Sequence, residues 1–266
     1  MGARDQGGEH STAVSAKKNY SIKINSYMIP SIAEKIRQKL AAGGVITMFN
    51  PDFQSPRLVE YLASFDLDVC FLEGERMSYD FERIEEMTRG AHLAGIACMA
   101  RAWSNEPGLI VRYFDCGLDG MAFPHIENAA DAQRVVDIVR YARPKDYADK
   151  IVIVMTEMPQ SIARLDEIVA VPGVDVVNIG VNDVALAAGY PGQPEHPEVI
   201  NLVDEAIARI LKGGKHVALN VLTNWEDRMP VFVGKGVRWL NVHANTFLAR
   251  GARQYVDLLQ RSRVGK

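Results

Sequence analysis

The chain has 266 residues, 48% of them hydrophobic and 24% charged, with a formal net charge of −3. That is the composition of a globular protein long enough to bury a large core, and it excludes the basic footprint of a nucleic-acid binder. No apolar run approaches the ~20 residues of a membrane span, so neither nucleic acid nor membrane is an expected partner. Residues 1–20 are polar and glycine-rich without an apolar signal core, and read as a flexible tail before one domain, 21–266, in the cytoplasm. Cys70, Cys98 and Cys116 lie in or beside apolar runs without CxxC spacing, the pattern of buried free thiols.

Ser31–Ala42 carries Ile32, Ile36 and Leu40 at helical spacing and stops at Gly43-Gly44. An unbroken alternation follows. Gly44–Phe49 reads as a strand and Ser55–Phe65 as a helix, with Ser55 at the N-cap and Pro56 at the first helical position. Strand Leu67–Leu72 leads to helix Tyr79–Ala94, Ile96–Ala100 to Pro107–Cys116, and Leu118–Phe123 to Ala129–Tyr141. Ile151–Met155 leads to Ser161–Ala170, and Val174–Ile179 to a loop and then helix Pro197–Lys212. His216–Val221 leads to Glu226–Gly234, and Val237–Val242 to Thr246–Arg263. Eight strand–helix units in about 250 residues predict a (β/α)8 TIM barrel, with the extra N-terminal helix placed to plug its N-terminal mouth. A doubly wound sheet would carry a glycine-rich phosphate loop after its first strand, where this chain has MFNPDF.

In such a barrel the C-terminal strand ends meet on one face. The exits here are polar: Asn50-Pro51-Asp52, Glu73-Gly74-Glu75-Arg76, Arg101-Ala102-Trp103-Ser104, Pro124-His125, Glu157, Gly180-Val181-Asn182-Asp183, Asn220 and His243-Ala244-Asn245. Isolated carboxylates at strand–helix junctions often do no more than cap the helix. Glu157 and Asp183, leaving neighbouring strands, also suit a hard divalent cation such as Mg²⁺ or Mn²⁺. Arg101 offers a permanently charged fork to a carboxylate or enolate oxygen. Gly180–Asp183 opens a segment whose amides can receive a carboxylate. A cation, an arginine and backbone donors around a small acid suit enolate chemistry, because each stabilises negative charge on oxygen. His92 and His216 are expected to pack or face water.

The motifs L-E-G-E (72–75), A-R (100–101), T-E (156–157), G-V-N-D (180–183) and A-A-G-Y-P-G-Q-P-E-H-P-E-V (187–199) resemble the 4-hydroxy-2-oxoheptane-1,7-dioate aldolase family. These are metal-dependent class II pyruvate aldolases on a TIM barrel, related to the citrate lyase β subunit. The resemblance runs from about Gly44 to Gln260. It implies Glu157 and Asp183 as ligands of Mg²⁺ or Mn²⁺, and Arg101 on the ketone oxygen of a 2-oxo acid substrate. It puts that acid's carboxylate on the amides of Gly180, Val181, Asn182 and Asp183. It also implies a homo-oligomer, hexameric in the family, with neighbouring subunits completing each site.

Two departures from the family pattern stand out. The family's second strand ends in a histidine that pairs with an aspartate to move the aldol hydroxyl proton; here Arg76 takes its place, and Asp115 matches the aspartate. Arginine stays protonated and is no ordinary base, so an Arg76–Asp115 pair is either electrostatic or leaves Arg76 to clamp a second anion. A G-x-R-G-like loop that precedes the family's fifth strand is replaced by Arg143-Pro144-Lys145-Asp146-Tyr147, running almost directly into Ile151. The expected function is a divalent-metal-dependent carbon–carbon lyase, aldolase or decarboxylase, working through a pyruvate enolate. The alternatives are a citrate-lyase-like enzyme cleaving an acyl thioester and a non-catalytic oxo-acid-binding barrel.

Overall fold

The structure is a computed structural model describing Gly2 and residues 31–221 and 225–263; apart from Gly2, the tail expected over 1–20 lies outside them. The apolar runs form β1 (Ile46–Asn50), β2 (Val69–Glu73), β3 (Ala97–Arg101), β4 (Gly120–Phe123), β5 (Ile151–Thr156), β6 (Val176–Ile179), β7 (His216–Asn220) and β8 (Trp239–His243). They pair in sequence order into a closed parallel barrel, and β8 meets β1 with Asn50 opposite His243. This is the (β/α)8 TIM barrel that the alternation predicts.

Both faces of every strand are covered, which is why the strands read as continuous apolar runs rather than alternating ones. One set of alternate residues fills the lumen: Ile46 and Met48, Val69 and Phe71, Ala97 and Met99, then Ile151, Ile153 and Met155, with Val176, Ala218 and Trp239. The other set, including Phe49, Leu72, Phe123, Val154 and Val177, packs under the helices. Trp239 is fully buried, and its indole nitrogen lies 3.3 Å from Met48 Sδ.

The surrounding helices are α1 (Ile32–Ala41), α2 (Pro56–Ala63), α3 (Phe81–Leu93), α4 (Pro107–Asp115), α5 (Ala129–Ala142), α6 (Pro159–Ala163), α7 (Leu165–Val169), α8 (Val181–Ala187), α9 (Pro197–Lys212), α10 (Trp225–Gly234) and α11 (Ala244–Arg263). Ser55 caps α2 through a bond from the Leu58 amide, with Pro56 next to it. In α9, Val199, Val203, Ala206, Ile207 and Ile210 form the buried stripe that a 3.6-residue period requires. The N-terminal helix α1 closes the lumen floor: its Ala33, Ile36 and Leu40 belong to the same cluster as Ile46, Val69 and Trp239. Arg37 fastens it by donating to the carbonyls of Ala148 (2.6 Å) and Lys150 (2.8 Å), just before β5, and Lys39 pairs with Asp68 at 2.7 Å, just before β2.

Two local readings change. The segment after β6, expected as a loop, starts with helix α8. Its Val184 and Ala185 are buried, and Gly189 (φ 86°) ends it with the Tyr190 amide bonded to the Ala185 carbonyl at 2.8 Å. That is the Schellman stop, in which a left-handed glycine lets the chain satisfy a last-turn carbonyl. The single helix expected over Ser161–Ala170 breaks at Arg164 into α6 and α7. His92 faces water, as expected, and also makes a polar contact: its Nε2 lies 2.8 Å from Asp119 Oδ2, which also accepts the Cys98 amide. The hydrogen bond to Asp119 raises the His92 pKa against the opposing effect of burial, whereas burial lowers that of His216. The three cysteines are buried and free, as expected.

Candidate active site

The side-chain alternation that fills the lumen also builds the site. Continuing the inward series by one step brings Asn50, Glu73, Arg101, Glu157, Asn220 and Asn241 towards the C-terminal mouth, and one step more on β8 brings His243. The residues fall into a charged side, on β2, β3, β5 and β6, and an amide-and-imidazole side, on β7, β8 and β1.

Arg101 is the centre of the charged side. Its Nη2 and Nε bind Glu73 Oε2 and Oε1 at 2.7 and 2.9 Å, a two-pronged contact between residues opposite each other on β2 and β3. Its Nη1 lies 2.9 Å from Glu75 Oε2 and 3.4 Å from Glu157 Oε1. The Glu75 contact is one of charge, since among the described residues that buried oxygen has no hydrogen-bond partner. Burial works against the Arg101 charge, but the Glu73 hydrogen bond and the charges of Glu73, Glu75 and Glu157 outweigh it and raise its pKa. The sequence picked Arg101 as a substrate ligand without seeing that Glu73 and Glu75 hold it. The L-E-G-E run at a strand end was the available signal.

Glu157 and Asp183 come together around Gly180. A Cβ at Gly180 would lie 2.8 Å from Asp183 Oδ2 and 3.1 Å from Glu157 Cγ, so the two acids approach the same bare Cα. Burial raises the Glu157 pKa; Arg101 pulls it down, and the Asp183 charge pushes it up again. His125, held at φ 58°, sits with Nδ1 3.7 Å from Glu157 Oε2. Three carboxylates thus face one guanidinium, and Asp183 adds a fourth negative charge beside Glu157, an excess in a half-buried place. That donor set fits a hard divalent cation held by Glu157 and Asp183, with water and substrate oxygens completing its shell. Among the described residues no group of three or more His, Cys, Asp or Glu side chains is arranged as a full metal cage. Gly180 is the N-cap of α8, so the amides of Val181, Asn182 and Asp183 belong to a first turn whose N–H groups have no carbonyl of their own helix to bond.

Arg76 and Asp115 are not brought together within one chain. Arg76 is exposed in the turn after β2, on the mouth face. Asp115 is the last residue of α4, five residues before β4 begins, and therefore lies at the opposite end of the barrel, because each helix runs antiparallel to the strands. There it pairs with Arg143 at 3.3 Å. On the amide side the structure shows a pair that sequence reasoning did not assemble: His243 Nδ1 lies 2.6 Å from Asp52 Oδ1. Both residues stood among the strand exits, but contact across 191 positions leaves no trace in spacing.

A closed parallel (β/α)8 barrel with an arginine and paired acids at its C-terminal mouth defines a TIM-barrel enzyme that handles small anions. Residues 47–250 match the family described as HpcH/HpaI aldolase/citrate lyase, and the chain belongs to that family. It is 32% identical over 216 residues to a pyruvate aldolase of Rhizobium etli, covering 73% of this chain and 84% of that relative. Identity to a hydroxypyruvate/pyruvate aldolase of Roseovarius nubinhibens is 28% over 253 residues, 85% of this chain and 96% of that one. An HpcH/HpaI aldolase/citrate lyase family structure from Burkholderia cenocepacia shares the fold with a TM-score of 0.78 at 22% identity, covering 85% of this chain and 99% of that one. The protein is accordingly an enzyme, a carbon–carbon lyase of a family acting on pyruvate or other oxo acids. No helix among the described residues is long and apolar enough to cross a membrane.

Proposed function

We propose that this enzyme is a divalent-metal-dependent lyase that makes or breaks a carbon–carbon bond of a 2-oxo acid through a pyruvate enolate. The observation that carries the reading is the convergence of Glu157 and Asp183 on Gly180 beside a buried, glutamate-held Arg101. A bound Mg²⁺ or Mn²⁺ supplies Lewis acidity to the substrate's oxygens. Arg101 binds the ketone oxygen and stabilises the charge it gains as the bond breaks. Its contacts with Glu73 hold the guanidinium plane before substrate arrives, so little reorganisation is left for the reaction. The amides of Val181, Asn182 and Asp183 take the carboxylate, that of Gly180 being engaged by the Thr156 carbonyl at 3.3 Å, and Arg76, exposed at the rim, meets a second substrate anion. The active form is a homo-oligomer, a hexamer by family resemblance. Asp115, remote from its own chain's mouth, then has a neighbouring subunit's site to serve. Three buried free thiols support a reducing, cytoplasmic setting.

The test is oxaloacetate decarboxylation with added Mg²⁺ or Mn²⁺, a reaction that needs enolate stabilisation but no proton taken from substrate. The wild type is expected to turn over, and a Glu157→Ala/Asp183→Ala double variant to lose both turnover and bound metal while its circular dichroism stays that of the wild type. Undiminished bound Mn²⁺ in the folded double variant would refute the ligand assignment.

A further inference from the structure

The enolate reading leaves one proton without an acceptor. Cleaving a 4-hydroxy-2-oxo acid requires the 4-hydroxyl to lose its proton as the C3–C4 bond breaks, and Arg76 cannot take it. On the other side of the same mouth, His243 Nδ1 lies 2.6 Å from Asp52 Oδ1, and the second oxygen of Asp52 accepts the Asn245 amide at 2.7 Å. A carboxylate only accepts, so Nδ1 carries the hydrogen, and in the neutral ring Nε2 keeps its lone pair. The Asp52 side chain is 12% exposed and that of His243 29%, which leaves the ring open to the mouth and its anchor covered. Asp52 holds φ 58°, a left-handed conformation that Asp tolerates better than most side chains, and the Asn245 bond fixes it there.

The surroundings of Nε2 are polar and incompletely satisfied. Asn50 Nδ2 is 3.3 Å from Nε2 and 3.4 Å from Asn241 Oδ1, both long contacts. Asn50 itself is only 2% exposed, and its Oδ1 has no hydrogen-bond partner among the described residues. The Nε2 lone pair, met by a long amide contact on a ring open to the mouth, is placed to accept from a hydroxyl. Arg101 stands three strands away, about 14 Å round the wall at ~4.8 Å per strand, and both side chains reach inward across that span.

We propose that His243, oriented by Asp52, accepts the 4-hydroxyl proton of a 4-hydroxy-2-oxo acid during carbon–carbon cleavage. This rests on the enolate reading of the opposite side of the mouth. The O–H proton passes to Nε2, the C4–O bond becomes a carbonyl, and the C3–C4 electron pair moves into the enolate whose oxygen Arg101 faces. The imidazolium, directly or through water, returns a proton to C3, giving an aldehyde and pyruvate with no other reactant. Asp52 acts as a positioning residue. The relocated histidine–aspartate pair does the work that Arg76 gave up.

The experiment compares pyruvate release from 4-hydroxy-2-oxovalerate with oxaloacetate decarboxylation, in one Mn²⁺ buffer, for the wild type, His243→Ala and Asp52→Asn. The ratio of cleavage to decarboxylation is expected to fall about 10²–10⁴-fold in His243→Ala, the usual worth of general-base help, and imidazole added to the buffer should restore part of it. Asp52→Asn should lower the cleavage kcat with little change in KM, because the ring loses its fixed tautomer and not the substrate's contacts. A wild type that decarboxylates but does not cleave overturns the proposal and leaves the enolate reading standing; one that does neither overturns both. An unchanged ratio in His243→Ala, or a fallen ratio that imidazole does not raise, also overturns it.

Discussion

Gly180→Ala separates metal binding from folding more finely than removing a ligand does. The backbone there has φ −77° and ψ 85°, which alanine tolerates, so the effect lies in contacts rather than in backbone strain. The new methyl group would start 2.8 Å from Asp183 Oδ2 and 3.1 Å from Glu157 Cγ. To reach ordinary contact at 3.4 Å, the Asp183 oxygen has to retreat by about 0.6 Å and the Glu157 methylene by about 0.3 Å. Such crowding costs about 1–3 kcal/mol of stability when the neighbours cannot move. Here one neighbour is the end of a half-exposed side chain, so about 1 kcal/mol or less is expected. A hard cation is less forgiving, since Mg²⁺ demands near-ideal geometry at 2.0–2.1 Å and usable sites hold ligand distances to about ±0.2 Å. Spreading the two carboxylates by more than that tolerance should weaken Mn²⁺ or Mg²⁺ binding at least about 10-fold, on the scale of known supporting-residue losses. Calorimetric Mn²⁺ titration beside a thermal melt reads both quantities. A Gly180→Ala protein that melts like the wild type and binds Mn²⁺ with equal affinity would show that these two acids do not form the site.

Arg101→Lys keeps the charge but loses the fork gripping Glu73; oxalate binding should weaken by ~1–3 kcal/mol, and equal affinities by calorimetry would contradict Arg101 as the oxo-acid ligand. His92, its pKa raised by Asp119, should stabilise the fold fully below the ordinary histidine value of about 6.5 and lose that contribution as pH rises through the raised value. The wild-type advantage over His92→Gln in urea unfolding should therefore be larger near pH ~5.5 than near pH ~9, by less than about 1 kcal/mol because the ring is 39% exposed. An advantage that grows with pH would reverse the sign and refute the pairing.

The barrel was legible because parallel strands covered on both faces must be apolar throughout, and each run here is fenced by helix caps and glycines. Ser55, Pro56 and the Gly43-Gly44 stop all stand where the sequence puts them. α8 was not legible: seven residues span about two turns, too few for a period to show. The charged side of the mouth was half visible. Glu157, Asp183 and Arg101 follow from strand exits, but the grip of Glu73 and Glu75 on Arg101 depends on the β2–β3 register, which no local pattern encodes. Asp115 shows a different limit. The motif match pairs it with Arg76, but the direction of α4 carries it to the far end of its own barrel, so such a pair needs a second subunit.

Closure of β8 on β1 also sets a condition on how the enzyme comes into being. Asn50 and Asp52 meet His243 across 193 and 191 positions, the chain's first strand waiting for its last. While the protein is being synthesised, Glu73, Arg101 and Glu157 can already have emerged and begun to pair, but Asn50 and Asp52 have no His243 to meet until residue 243 is clear of the ribosome. Contacts of such long range come late in folding, since their loop-closure cost is met only when the intervening units are in place. A nascent or prematurely terminated chain therefore has an exposed β1 edge and an unfinished rim. Competence waits for β8 to close on β1, which makes that strand a checkpoint between finished barrel and aggregation-prone fragments.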